Sequence, residues 1–206
     1  MPLPSYKFSP SSWQKFVGAV DNEQPPDATT RKEIGGVGIS DPSVGLLGYV
    51  WKCSYNTSTG VITLLNETTG VSTVYLTIAG LLTLDFAFDQ NMRPYLAYDK
   101  NDGKAYFYYY STLAGAYATI QLPSGSRSPR LTHDDKRRWS VIGNLSDVCL
   151  FYINNDKVYY RVQRERFESE HQVATLTSNS TICSVGMGID NRLILKIQDG
   201  SMVSSP

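Results

Sequence analysis

The chain has 206 residues, and its 19 acidic side chains balance 19 basic ones. A net charge of zero leaves no field to draw in nucleic acid or an anionic membrane. A chain of this length buries about 70% of its unfolded surface, so it needs neither disulfide nor metal to fold. Charged residues are only 18% and aromatics 12%, with 14 tyrosines, which favours strands over long amphipathic helices.

Residues 1–30 stand apart. They contain Pro2, Pro4, Pro10, Pro25 and Pro26. Ser11–Val20 is the one helix candidate, with Ser11 and Gln14 spaced as a capping box and Trp13, Phe16, Val17 and Val20 sharing an apolar face. A polar, Pro-rich linker, Asp21–Thr30, separates this arm from the rest of the chain. The arm either packs on its own domain or docks on a neighbouring subunit. The opening stretch MPLPSYKFSPSS has no apolar h-region, so a signal peptide is not expected. No apolar run reaches the length of a membrane span.

The β region opens at residue 31. Gly35-Gly36-Val37-Gly38 lacks the spacing and the Lys-Ser/Thr of a phosphate loop and is expected to form a tight bend. Leu46–Tyr55, Val61–Leu65 and Val71–Ile78 read as strands. Between them, Asn56–Gly60 and Asn66–Gly70 read as turns, giving two successive hairpins. The Asn-x-Ser/Thr triplets at Asn56, Asn66, Asn144 and Asn179 are read as turn composition, not as glycosylation sites.

Leu81–Leu122 is the best-formed unit. Leu82–Phe88 alternates as a half-buried strand, Asp89-Gln90-Asn91 supplies turn chemistry, and Pro94 opens the strand Tyr95–Tyr98. Asp99–Gly103 is a second turn, Lys104–Tyr110 an aromatic third strand and Tyr117–Leu122 a fourth. Four short antiparallel strands in about 40 residues is the size of a propeller blade. Residues 127–176 look like a second copy, with strands at Ser128–Thr132, Trp139–Ile142, Asp147–Ile153, Lys157–Gln163 and Glu170–Leu176. Residues 181–198 restart the pattern, and 199–206 form a loose tail. An Asp-led turn between apolar strands recurs at Asp41, Asp89, Asp134 and Asp190, roughly every 45–55 residues. The expected fold is all-β: antiparallel meander repeats, β-propeller-like, over residues 31–198, with a β-sandwich as the alternative and an extended N-terminal arm.

No motif identifies a reaction. His133 and His171 lie in charged, exposed-looking surroundings with no nucleophile context. Cys53, Cys149 and Cys183 are read as buried free thiols of a reducing compartment. No metal-ligand spacing occurs; Asp99-x-Asn101-x-Gly103 lacks the downstream Glu of a calcium loop and is explained by a hairpin. Asp85 with Asp89, and Asp134 with Asp135, are the carboxylate pairs to weigh for glycoside hydrolysis, and turn duty explains each of them. Arg127, Arg130, Lys136, Arg137 and Arg138, diluted by acids, read as a solvated turn. On the aromatic strands, one face carries Lys104, Tyr106, Tyr108 and Tyr110, and its counterpart Lys157, Tyr159, Arg161 and Gln163. Such faces pack between sheets, meet another protein, or stack sugars or nucleic-acid bases. No catalytic, cofactor-binding or metal-binding residue is assigned, and no cofactor is expected.

The stretches SDPSVGLLGYVW (40–51), LDFAFDQNMRPYLAYDKNDGKAYFYY (84–109), SPRLTHDDKR (128–137), DVCLFYINNDKVYYRVQRERF (147–167) and NRLILKI (191–197) resemble minor virion structural proteins of tailed bacteriophages, of the tail or neck. The resemblance implies a non-enzymatic structural subunit, present in several copies per virion and made in the host bacterial cytoplasm. Its partners would be other virion proteins and copies of itself. The alternatives are a receptor- or glycan-binding tail-fibre accessory and, behind it, a glycan hydrolase.

Overall fold

The computed structural model describes residues 31–37, 50–66, 69–89, 93–134, 147–187 and 193–198. The helix expected at Ser11–Val20, the arm and linker, the strand expected at Trp139–Ile142 and the C-terminal tail lie outside them. So do Asp41, Asp135, Lys136, Arg137, Arg138, Asn144 and Asp190.

The described chain is all-β, built from antiparallel meanders. β1 (Arg31–Val37), β2 (Val50–Asn56), β3 (Val61–Asn66) and β4 (Val71–Thr77) form the first sheet, paired in sequence order. β5 (Leu81–Phe88), β6 (Pro94–Lys100), β7 (Ala105–Ser111) and β8 (Ala116–Gln121) form the second. β9 (Arg127–Asp134), β10 (Asp147–Asn154), β11 (Lys157–Val162) and β12 (His171–Thr175) form the third, and β13 (Thr181–Met187) pairs with β14 (Leu193–Gln198) in the fourth. The recurrent Asp marks one topological position: Asp89 follows β5 directly, and Asp134 ends β9.

Local chemistry sets the hairpins. In Asn56-Thr-Ser-Thr-Gly60 the Asn56 Oδ1 accepts the N–H groups of Ser58 (2.9 Å) and Thr59 (3.1 Å), and the Gly60 N–H closes on the Asn56 carbonyl at 2.7 Å. Asn66-Glu-Thr-Thr-Gly70 repeats the device, with Thr69 N–H on Asn66 Oδ1 (3.1 Å) and Gly70 N–H on the Asn66 carbonyl (2.8 Å). Both glycines sit at φ +72°, a conformation that costs other residues roughly 1–2 kcal/mol. The two Asn-x-Ser/Thr triplets are therefore turn caps.

Strand alternation then sorts side chains between neighbouring sheets. From β5 and β6, Leu84, Phe86, Phe88, Leu96 and Tyr98 pack with Cys53, Tyr55, Ile62 and Leu64 of the first sheet. Their alternates Ala87, Tyr95 and Ala97, with Phe107, pack with Leu131, Val148, Leu150 and Tyr152 of the third. The other face of β10, Cys149, Phe151 and Ile153, packs with Ile182 and Val185 of the fourth. Each large apolar side chain so buried stabilises by roughly 1.5–3 kcal/mol. A two-sheet sandwich covers one face of each sheet, whereas here the second and third sheets are covered on both faces. That explains why β6 and β10 read as near-continuous apolar runs. The first strands adjoin one another, β1 on β5, β5 on β9 and β9 on β13, while β4, β8 and β12 end their sheets on the far side. This stacking of antiparallel meander sheets is consistent with a propeller-like arrangement.

Three expectations change. Gly35 and Gly36 form no bend: they lie inside β1, opposite Lys52 and Trp51, where the lack of a side chain permits close approach of a neighbouring backbone. Asp85 has no turn duty, being buried in mid-strand. Arg127 and Arg130 belong to β9 and reach across to carbonyls at Ser180 and Cys183, so they are not a solvated turn.

One excursion is strained. After β11 a 3₁₀ turn (Gln163–Glu165) leads into Arg166 and Phe167, both left-handed at φ 56° and 60°. Phe167 is buried between the second and third sheets, 4.7 Å from the Phe107 ring, 5.4 Å from Tyr109 and 6.0 Å from Tyr95. Arg161 Nη1 donates to its carbonyl at 3.1 Å. The burial offsets the backbone cost.

Candidate functional site

Near the first strands, polar side chains stitch the sheets together. Asp85 Oδ1 accepts the Phe86 N–H at 3.0 Å, and its Oδ2 accepts the Leu131 N–H of β9 at 2.9 Å. Burial pushes its carboxyl up to about 6, against the pull of Arg130 and the two N–H donors. Asp99 is also raised, first by burial, while its Oδ2 takes the Thr83 hydroxyl at 2.8 Å. Arg130 Nε donates to the Cys183 carbonyl at 3.1 Å. Arg127 Nε donates to the Ser180 carbonyl at 3.3 Å, and its Nη2 pairs with Asp156 at 2.7 Å. The second, third and fourth sheets are thus tied by named polar contacts as well as by their cores.

Several of the described carboxylates and His171 make contacts of the same kind. Asp89 accepts the Arg93 N–H at 2.9 Å and lies 3.3 Å from the Tyr95 hydroxyl, holding the β5–β6 hairpin. Asp85 and Asp89 stand four residues apart in extended chain, about 13 Å, beyond the 5–9.5 Å or so of glycosidase pairs. His171 Nε2 meets Glu165 at 2.6 Å and stacks on Tyr160; it is half-buried and partnered, not a free surface histidine. Glu165 is held below the usual carboxylate range, first by that hydrogen bond. Cys53 and Cys149 are buried free thiols, and Cys183 is free and half-buried. Burial, then the Asp85 charge, pushes the Cys53 thiol up, which makes it a poor nucleophile. Among the described residues no group of three or more His, Cys, Asp or Glu side chains converges to hold a metal.

The tyrosine faces are mostly packed. Tyr106 and Tyr108 lie against the core shared with the first sheet, and Tyr159 against that shared by the second and third. Tyr98 stacks on Tyr106 with centroids 5.5 Å apart, and the Tyr106 hydroxyl donates to Asp102 at 2.7 Å. Gln163 Nε2 donates to the Tyr95 hydroxyl at 3.1 Å, and Arg161 joins Glu170 at 2.7 Å. The tyrosine-bearing face of β7 continues onto β8, where Tyr108 stacks on Tyr117 at 4.9 Å and Tyr110 meets Tyr117 edge-on at 5.4 Å. The Arg93 guanidinium lies 3.7 Å over the Tyr110 ring.

Sequence reasoning missed Tyr75. β3 and β4 pair Ile62 with Leu76 but Thr63 with Val74, so Tyr75 is the extra residue of a β-bulge. The bulge turns its ring onto Tyr108, edge to face at 6.3 Å. Its buried hydroxyl makes no hydrogen bond of good geometry within the described structure, although the Tyr108 and Tyr117 hydroxyls lie close enough to bear on its ionisation. The uncharged β4 sequence, Val-Ser-Thr-Val-Tyr-Leu-Thr, gives no local signal for a one-residue insertion.

Apart from Leu82 on β5, the exposed large apolar side chains among the described residues lie toward the outer strands: Val71 and Val74 on β4, Tyr117 on β8 and Val173 on β12, with Leu113 in the β7–β8 turn. An edge strand offers a row of backbone donors and acceptors, which proteins ordinarily guard with charge, proline or a bulge. β4 is guarded by the Tyr75 bulge, β12 by a bulge at the Val158/Tyr159 register shift, and β14 by Lys196. β8, Ala-Tyr-Ala-Thr-Ile-Gln, has no charge and no proline, and pairs β7 without a register shift.

The sequence matches no family model, no curated protein and no solved structure.

Proposed function

We propose that this chain is a non-enzymatic structural subunit of a tailed-phage virion, in the tail or the collar and neck region. It assembles through its outer β edges, its tyrosine-rich rim and the N-terminal arm. The observation that carries the mode of assembly is the outer edge: exposed strands with apolar side chains outward, and on β8 none of the usual guards. The virion setting rests on the sequence resemblance. The partnered state of Asp85, Asp89 and His171 supports a scaffold over a hydrolase, since each of these groups already serves the fold. Removing residues 1–26 leaves the β domain folded and abolishes incorporation into particles. A truncated chain that enters particles at the full-length level rules the arm out as an anchor.

A second reading, binding of a host-surface glycan, is favoured by Tyr117, which is 37% exposed beside the Arg93–Tyr110 pair. Aromatic faces of this kind stack sugars. Glycan-array binding lost in Tyr117→Ala supports that reading; an array with no binding above background removes it.

A further inference from the structure

We propose that β8 is a self-association edge, where a second copy of this chain adds its own β8 antiparallel and doubles the second sheet. The inference rests on the reading of the outer edges as assembly surfaces and names which edge, and which partner.

Three observations single out β8. Among the described residues it is the regular outer edge: Tyr106–Ser111 of β7 pair with Gln121–Ala116 of β8 residue for residue, whereas β4 and β12 are interrupted. It carries no charged side chain, so two copies meet without like charges facing each other across the new ladder. Its exposed side chains, Tyr117 with Leu113 just before the strand, form an apolar margin along the same edge.

Symmetry and overlap leave two central registers. A two-fold axis normal to the sheet keeps each face on its own side, so one residue must pair with itself. An axis on Ala118 places Tyr117 opposite Thr119 and Ala116 opposite Ile120 of the second copy. An axis on Thr119 pairs the two Thr119 side chains, sets Tyr117 opposite Gln121 and Ala118 opposite Ile120. Both bring aromatic, β-branched and small uncharged side chains together, the pairs that stabilise antiparallel ladders. A strand from an unlike protein fits the same edge, but nothing in it selects for a charged or asymmetric partner, and the two-fold arrangement satisfies both copies with a single surface.

The test uses the full chain. Wild-type protein is expected to sediment as a dimer at micromolar concentration. Thr119→Lys, at an exposed position whose side chain also meets the Tyr98 hydroxyl, is expected to keep the wild-type circular dichroism spectrum and to raise the dimer dissociation constant at least about ten-fold, equivalent to ~1.4 kcal/mol. In a Cys183→Ser background, either Ala118→Cys or Thr119→Cys forms a disulfide-linked dimer on mild oxidation, while Thr181→Cys on β13 does not. A wild-type chain that stays monomeric overturns the proposal. So does a dimer that neither cysteine captures and that Thr119→Lys leaves intact, since it uses another surface. Either result leaves the virion reading standing, because that reading is judged by particle incorporation.

Discussion

Asp85 is the residue on which the junction of the second and third sheets turns. Its carboxyl is buried completely and accepts a backbone N–H from the strand of each sheet. Burial raises it to about 6, so the folded state holds this proton more tightly than the unfolded chain does. The contribution of this group to stability is therefore greatest below about pH 4, declines as pH rises from about 4 to about 6, and is constant above, a change on the order of 3 kcal/mol. Asp99 is raised in the same direction, first by burial. Asp85→Asn removes the ionisation but presents an amide N–H₂ to one of the two N–H donors. Urea unfolding should then show a smaller loss of stability between about pH 4.5 and 7 in Asp85→Asn than in wild type. Parallel pH profiles for the two proteins would mean that this carboxyl does not titrate in that window. Little of this is legible in the sequence. An Asp inside an apolar strand looks like a strand boundary until the Leu131 N–H, 46 residues away, supplies its partner. The arginines of β9 are opaque for the same reason: their acceptors, the carbonyls of Ser180 and Cys183, lie 53 residues away.

At the scale of elements, the sequence is far more explicit. Alternation and turn residues place β2, β3 and β4 within a few residues of their expected bounds, and Leu81–Leu122 nearly strand for strand, because each of these signals is local. The paired turns Asn56–Gly60 and Asn66–Gly70 offer a controlled comparison. Both glycines have φ +72°, but a Cβ on Gly60 would lie 2.0 Å from the Ile78 carbonyl oxygen, whereas one on Gly70 meets nothing within 4 Å. Gly70→Ala should cost about 1–2 kcal/mol, the left-handed penalty alone. Gly60→Ala should cost at least about 1 kcal/mol more, because the Ile78 N–H to Gly60 carbonyl bond of 2.8 Å sits on the same contact. Denaturant midpoints measure both; equal losses would mean that the β4–β5 connection yields freely. Departures from regularity are what the sequence conceals at this scale: Gly35 and Gly36 paired inside a strand, the bulge at Tyr75, and left-handed Phe167. Each depends on a neighbouring strand or sheet.

For the whole molecule, a repeat of Asp-led turns foretells successive meander sheets, and the sheets stack in chain order with cores between them. Which tyrosine faces are covered is not legible from one strand at a time, since Tyr106, Tyr108 and Tyr159 are packed by sheets distant in sequence. Among the described residues the outer edges stay uncovered, and they are what joins the fold to the proposed role in a virion. Mass spectrometry of purified particles, quantified against the major capsid protein, tests that role most directly. A virion subunit should yield peptides of this chain from intact, nuclease-treated and gradient-purified particles, at a fixed ratio of several copies per particle. Absence from the particles, with the chain abundant in the infected-cell lysate, would contradict the role.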